Sequence, residues 1–163
     1  MLSSTHNEDL IYQIALGQIE GLGPVRQVKL IEHFLSAKKI CDASKNDLLS
    51  TGLLMSELAD QIKAIGDAAL HKKTCDKMKA LGIQAVHFQD ANYPERLKHI
   101  ASFPVLLFYR GDLDCLHAPR ALGVVGTRQM TNYGLRVTQE MVPALVKEGL
   151  VIVSGLAFGV DAC

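Results

Sequence analysis

The 163-residue sequence predicts an α/β protein in two parts: a compact bundle of short helices, then a strand–helix–strand unit of a parallel sheet. Three observations predict it. Apolar residues recur at helical spacing from residue 8 to about residue 82, punctuated by glycines. From residue 83 the pattern changes to short apolar runs, "IQAVHF", "VLLFYRG", "ALGVVG" and "LVIVSG". A helical stretch from about Tyr133 to Glu148 separates the last two runs, and a strand, a helix and a strand at that length make parallel neighbours. The expected division is therefore 1–82 and 83–163.

In the first part, Leu10, Ile11, Ile14 and Leu16 form a helix that stops near Gly17. The stretch "EGLGPVRQVKLIEHFL" reads as a tight turn on Gly21 and Gly23 followed by a helix. Pro24 suits its first position, where the missing N–H would be unpaired anyway. Val28, Ile31, Phe34 and Leu35 then share a face. Ser44 with Asp47 three residues on has capping-box spacing and announces a third helix, which Gly52 breaks. Ser56 is expected to cap a longer helix through Leu58, Ile62 and Ile65 toward Leu70, extending to Leu81 before Gly82.

In the second part, "DANYPERLKHIASFP" is turn-rich, with Pro94 and Pro104 as punctuation and Tyr93 as a turn anchor. Pro143 lies inside the expected helix, where it removes a hydrogen bond and clashes with the preceding turn at a cost of about 3 kcal/mol. A kink near Gln139 or an interrupted helix is the expectation.

Several function classes are disfavoured by composition. Lys+Arg and Asp+Glu are each 17, so no global field draws the chain to a polyanion. Cys41, Cys75, Cys115 and Cys163 are far apart and form no C-x-x-C pair, and the six histidines show no ligand spacing; no metal site and no disulfide framework is expected. "MLSSTHNEDL" lacks the basic and apolar regions of a signal peptide, and no apolar run approaches the roughly 18 residues of a membrane span. A reducing, cytoplasmic location follows as the default.

Two small-residue turns carry the chemistry. Gly126-Thr127-Arg128 directly follows the strand "ALGVV". At the carboxyl end of a parallel strand, backbone N–H groups and a helix N-terminus converge and anions bind. Gly126 would let the backbone approach a phosphate, and Arg128 adds a guanidinium fork. The bland alternative is a tight turn beside a solvated arginine. Ser154, Gly155, Ala157, Gly159 and Asp161 form the second turn, at the end of the adjacent strand. Ser154 offers a hydroxyl, and Asp161 is placed to cap the next helix or to tether Arg128. Here the alternative is a glycine turn that clears space for packing. Together the two turns read as a cradle for a phosphate or an oligonucleotide. The dinucleotide fingerprint fails, because residue 128 is Arg and no acidic residue ends the second strand; no cofactor is expected.

The Gly21-Leu22-Gly23 hairpin is a further candidate phosphate contact through Gly21 and Gly23. Residues 1–85 carry ten Lys/Arg against ten Asp/Glu, and without a basic footprint a structural or protein-contact role competes with that reading. Phe103, Phe108, Tyr109 and Tyr133 are either core residues or stacking platforms for a base. No catalytic set emerges: Ser154 has no evident His–Asp partners, and no paired carboxylates stand at a recognisable spacing.

The stretches "GLGP", "YPERLKHIASFPVLLFYRGDL", "VVGTRQMTNYG" and "VSGLAFGVDA", in that order, give the chain a resemblance to the DNA-processing protein A (DprA/Smf) family. The resemblance runs from about residue 8 to the end. It implies an N-terminal domain of sterile-alpha-motif or helix-hairpin-helix type, followed by a Rossmann-like domain with extra strands. It further implies a non-enzymatic protein that binds single-stranded DNA in natural transformation, protects it and loads the RecA recombinase, usually as a homodimer. Its anion pocket would use Gly126, Thr127, Arg128, Ser154, Gly155, Ala157, Gly159 and Asp161. Family members continue past Asp161, so the chain reads as the N-terminal portion of a longer member whose sheet is incomplete here. A nucleotide- or phosphoribosyl-processing enzyme built on the same turns is the alternative, separable by a nucleophile or general acid beside Arg128; a pure protein-interaction module is a third reading.

Overall fold

The computed structural model describes residues 4–65 and 69–163. They form two compact units, Met1–Gly111 and Asp112–Cys163. The first holds helices α1 (Ser4–Gly17), α2 (Pro24–Phe34), α3 (Ala37–Asp42), α4 (Lys45–Ser50), α5 (Ser56–Lys63), α6 (Ala69–Ala80) and the short α7 (Glu95–Lys98). Strands β1 (Gln84–His87) and β2 (Leu106–Tyr109) flank α7. The second unit holds a 3-10 turn (Leu113–His117), β3 (Ala121–Gly123), α8 (Asn132–Lys147), β4 (Val151–Val153) and a closing 3-10 turn (Val160–Ala162).

The helices are positioned by a core of Leu16, Leu22, Leu30, Ile31, Ala37, Ile40, Leu48, Leu54, Leu58, Ala59 and Ile62. Leu30, Ile40 and Leu48 are wholly excluded from solvent, and each such burial is worth about 1.5–3 kcal/mol. The short α3 has too few apolar residues to announce itself; Ser36 caps it, accepting the Lys39 N–H at 3.2 Å, and the rest of its hold comes from outside. Asp9 on α1 accepts the Lys38 N–H at 2.8 Å and the Ala37 N–H at 3.4 Å, satisfying donors of its first turn. At the other end Lys63 donates to the Cys41 and Ala43 carbonyls at 2.7 and 2.8 Å. The Ser44–Asp47 capping box is present and reciprocal.

Three expectations are corrected. Leu35 does not join the core face: it ends α2 in the left-handed region at φ 73 and is 71% exposed. Ser56 is the first residue of α5, not its cap; Met55 holds that position without a side-chain bond. The long helix expected from Ser56 is two helices, α5 ending at Lys63 and α6 beginning at Ala69, and its middle at residues 66–68 lies outside the described residues.

β1 and β2 pair antiparallel, Gln84 opposite Tyr109 and His87 opposite Leu106. Val105, just before β2, belongs to the helical core and Phe88 packs against it, which is why this ribbon joins the first unit. The connection is pinned by Tyr93, 2% exposed, whose hydroxyl donates to the Pro104 carbonyl at 2.7 Å. Burial raises the Tyr93 pKa above its ordinary value.

In the second unit β3 and β4 run parallel, Ala121 opposite Val151 and Gly123 opposite Val153, and α8 connects them. The strand–helix–strand expectation is met. The upstream strands do not extend this sheet, since they pair with each other. Thr131 caps α8 by accepting the Gly134 N–H at 3.1 Å. The expected interruption at Pro143 is absent: α8 runs unbroken from Asn132 to Lys147. Apolar side chains of this unit stand largely in solvent, Leu122 and Val153 on the strands and Met141 and Val146 on the helix among them.

Candidate nucleic-acid interface

Parallel pairing brings the carboxyl ends of β3 and β4 together, and the ladder extends one residue through the Val124 N–H to the Val153 carbonyl at 2.9 Å. The loops that leave them, 124–131 and 154–159, are therefore neighbours; two hydrogen bonds tie the first to the end of the second, and a third pair orders the second internally. The Gly126 N–H donates to Asp161 Oδ1 at 3.0 Å. The Val160 N–H donates to the Thr127 carbonyl at 3.2 Å. The Ser154 hydroxyl donates to the Asp161 carbonyl at 3.0 Å and accepts the Leu156 N–H at 3.3 Å.

The glycines are needed where backbone meets backbone. A Cβ on Gly159, which sits at φ +90, would lie 2.1 Å from the Thr127 carbonyl oxygen. A Cβ on Gly126 would lie 2.6 Å from Val160 Cβ. At Gly155 it would meet Asp161 Oδ2 at 3.1 Å. Small residues here thus serve the close approach of the two loops.

Asp161 neither caps a helix nor tethers Arg128. Its carboxylate occupies the Gly126 N–H, as a bound anion would. That donor is already used, whereas the Thr127 and Arg128 N–H groups make no hydrogen bond among the described residues. The Thr127 hydroxyl is used locally, accepting the Gln129 N–H at 3.2 Å. The Arg128 side chain is exposed and makes no ion pair or hydrogen bond among the described residues. A free guanidinium beside open N–H groups offers a fork for a phosphate oxygen. The Asp161 carboxylate on the Gly126 N–H limits how much negative charge that side of the loops accepts.

Two aromatics stand beside these loops in solvent. Tyr133 is 69% exposed, with the Arg136 guanidinium 5.9 Å from its ring centre. Phe158, 85% exposed, was not singled out by sequence reasoning, and its place between Ala157 and Gly159 in a loop too short to bury a phenyl ring was the available signal. Phe103, by contrast, packs with Phe88 and Tyr93 at 5.7 and 6.4 Å between ring centres.

Gly21 and Gly23 form the expected turn in the other unit. Gly21 takes φ +83, and its carbonyl accepts from Arg26 at 2.9 Å. Gly23 is the N-cap of α2, accepting the Arg26 and Gln27 N–H groups at 3.1 Å. Pro24 supplies no donor there, and the one nearby arginine turns back onto the hairpin itself.

Residues 84–163 match the family model described as DNA recombination-mediator protein A. Over 159 residues the chain is 31% identical to Protein Smf of Synechocystis sp., a match covering 96% of this chain and 40% of that protein. It is 40% identical over 79 residues to the DNA processing protein DprA of Bacillus subtilis, covering 48% of this chain and 27% of that one. It is similar to the X-ray structure of DNA processing protein A (DprA) from Streptococcus pneumoniae, with TM-score 0.55 and 28% identity over 93% of this chain and 51% of that chain. The chain thus spans about two fifths of the Smf relative and about half of the solved chain. With the family model on its strands and α8, Smf and DprA sequences along it and the DprA fold beneath it, the chain belongs to the DprA/Smf family.

Proposed function

We propose that the chain is part of a recombination mediator that binds single-stranded DNA in natural transformation, protects it and loads the RecA recombinase. One observation carries the reading. Arg128 presents an unpaired guanidinium from a loop whose backbone Asp161 and Val160 tie to its neighbour, so the chain that carries the cation is fixed and the cation is not neutralised. The DNA-processing and recombination-mediator descriptions of the relatives favour a nucleic-acid partner. Exposed Tyr133 and Phe158 favour a single strand, whose bases are free to stack. Gly126, Thr127, Arg128, Ser154, Gly155, Ala157, Gly159 and Asp161 are the proposed binding set, with Gly21 and Gly23 as a second backbone contact.

The functional division is proposed at residues 82/83, one residue before the family model begins, although the β1–β2 ribbon packs with the helices. A homodimer in the intact protein, a cytoplasmic location and a non-enzymatic role belong to the same proposal. Among the described residues no helix is long and apolar enough to cross a membrane.

The test is fluorescence anisotropy of labelled oligo-dT with the chain and with an intact family member, across a salt series. Each phosphate contact contributes a slope of about −0.7 in log K against log salt. Binding by the intact member that ignores salt, or a preference for duplex, would refute the proposal.

A further inference from the structure

We infer that the helical unit carries a second contact for single-stranded DNA, where a nucleobase stacks on Phe108 and Lys73, Lys77 and Arg110 take the flanking phosphates. The inference rests on the single-strand reading above and adds a surface to it, one that lies wholly within the first unit. α6 holds four lysines, Lys72, Lys73, Lys77 and Lys79, against the single carboxylate of Asp76. All four lysines are exposed, and none is in an ion pair among the described residues. Residues 1–85 balance ten basic side chains with ten acidic ones, but four of the basic ones stand on this one helix. The charge is local, which a sum over the unit conceals.

The helix period selects the lysines that matter. Lys73, Lys77 and Leu81 follow one another at four-residue spacing, and the Leu81 N–H still donates to the Lys77 carbonyl at 3.1 Å, so the three share a stripe. Beside that stripe Thr74 and Met78 border a cleft together with Phe108. Leu81 then lines an open hollow of about 370 Å³ with Ile83, Phe108, Tyr109 and Arg110. Phe108 thus runs alongside α6, and Lys73 and Lys77 flank it from the solvent side, since buried Cys75 marks the opposite, core-facing side of the helix. Phe108 is 48% exposed and Leu81 50%. Arg110, two residues on from Phe108, is exposed, and its side chain has no hydrogen bond or ion pair among the described residues.

The occupant follows from this chemistry. An apolar hollow with a half-exposed ring, three cations beside it and no carboxylate in its lining suits a flat apolar body strung on a polyanion. A duplex keeps the faces of its bases stacked on one another, and an acidic peptide supplies the charge but nothing to lay on the ring. A purely structural role covers only part of the pattern. Lys77 and Lys79 in the last turn offset the helix dipole, but Lys73 is mid-helix and Arg110 is not on the helix at all.

The test is fluorescence anisotropy of labelled oligo-dT with the whole chain over a salt series, in the unaltered sequence and in Arg128→Ala. Joint Lys73→Ala and Lys77→Ala is expected to reduce the slope of log K against log salt by about 1.4, and Arg110→Ala by about 0.7. Phe108→Ala should lower affinity roughly 5- to 100-fold and leave the slope unchanged. The same losses should appear in the Arg128→Ala background. Ultraviolet cross-linking of a 5-iodouracil oligonucleotide to the unaltered chain, mapped by mass spectrometry, reads the contact without any variant and should mark Phe108 or Tyr109. Binding that responds to Arg128→Ala but not to these variants, with adducts confined to residues 124–133 and 154–159, overturns the inference and leaves the single-strand reading standing. Displacement by poly-glutamate as readily as by unlabelled oligo-dT also overturns it, because charge alone then accounts for the surface. Absence of binding by this chain overturns it too, and absence of binding by an intact family member as well overturns the single-strand reading.

Discussion

The Gly126 N–H and Asp161 Oδ1, 35 residues apart in the chain, are 3.0 Å from each other. This one bond makes two strand-end loops a single surface, and it places a carboxylate where a parallel-strand turn would otherwise present an open N–H. Asp161 therefore has two opposed effects: it orders the loops, and it repels a phosphate. The substitutions to Asn and Ala separate these. Asp161→Asn keeps an acceptor and removes the charge, so oligo-dT affinity should rise by about two- to fivefold at low salt, with the gain shrinking as salt screens it. Asp161→Ala should lose the tie and bind less tightly than Asn. Equal affinities for the two variants would show that the bond does not organise the site.

Arg128 has no internal partner to lose, so its removal should leave the fold alone. Arg128→Ala is expected to weaken oligo-dT binding by about 1.5–3 kcal/mol, the worth of a hydrogen bond to a charged group, and to reduce the salt slope by about 0.7. Arg128→Lys should restore the slope more than the affinity, because a lysine keeps the charge but not the fork. An unchanged slope in the alanine variant would remove Arg128 from the interface.

Gly159 is the least replaceable residue in the two loops. With φ +90 and only 2.1 Å between its missing Cβ and the Thr127 oxygen, Gly159→Ala must move backbone, at a local cost of about 1–3 kcal/mol or more. Gly155→Ala meets only a carboxylate oxygen at 3.1 Å and should be milder. Amide exchange at Val160, whose N–H binds the Thr127 carbonyl, is the readout. It should accelerate about tenfold or more in Gly159→Ala. Unchanged protection would mean that the close approach is relieved elsewhere.

These residues also show where sequence reasoning reaches and where it stops. The adjacency of the two loops was legible, because parallel neighbouring strands bring their carboxyl ends together whatever the side chains. The capping box at Ser44 was legible for the same reason: both partners lie within one turn. α3 was less so: Ser36 caps it locally through the Lys39 N–H, but its Ala37 and Lys38 N–H groups are satisfied by Asp9, 28 and 29 residues away. The partner of Asp161 was hidden by the same kind of distance. Leu35 misled because periodicity assigns a face and cannot see that α2 ends there in a left-handed turn. The pairing of β1 with β2 turned on tertiary anchors, Val105 in the helical core and Tyr93 on Pro104, that short apolar runs do not encode.

The helical core allows a simpler test. Ile40 lies on α3, is fully buried, and helps hold a helix of only six residues. Ile40→Ala should cost about 2–5 kcal/mol in urea unfolding. Ser44→Ala, which removes one half of a surface capping box, should cost about 1 kcal/mol. A larger loss at Ser44 than at Ile40 would contradict the packing described for this unit.

The thiols should divide sharply in reactivity. Cys115 and Cys163 are exposed, whereas Cys41 is partly buried beside Asp42. Burial, with the neighbouring Asp42 charge adding to it, pushes the Cys41 thiol up from 9.0 to about 12. Burial likewise raises Cys75. Only thiolates attack alkylating agents, so at pH 8 Cys115 and Cys163 should label first and Cys41 last. For stability the sign follows from the neutral thiol being favoured in the folded state. The folded pKa exceeds the unfolded one, so the contribution of Cys41 is fully present below pH 9 and is lost as pH rises from about 9 toward 12. Cys41→Ser would flatten that alkaline loss, because a hydroxyl does not titrate in the window. Mass-spectrometric mapping of iodoacetamide adducts against time, with urea unfolding at pH 8 and pH 10.5, checks both halves. Cys41 labelling as fast as Cys115 would show that its thiol is open to solvent and that burial does not set its pKa.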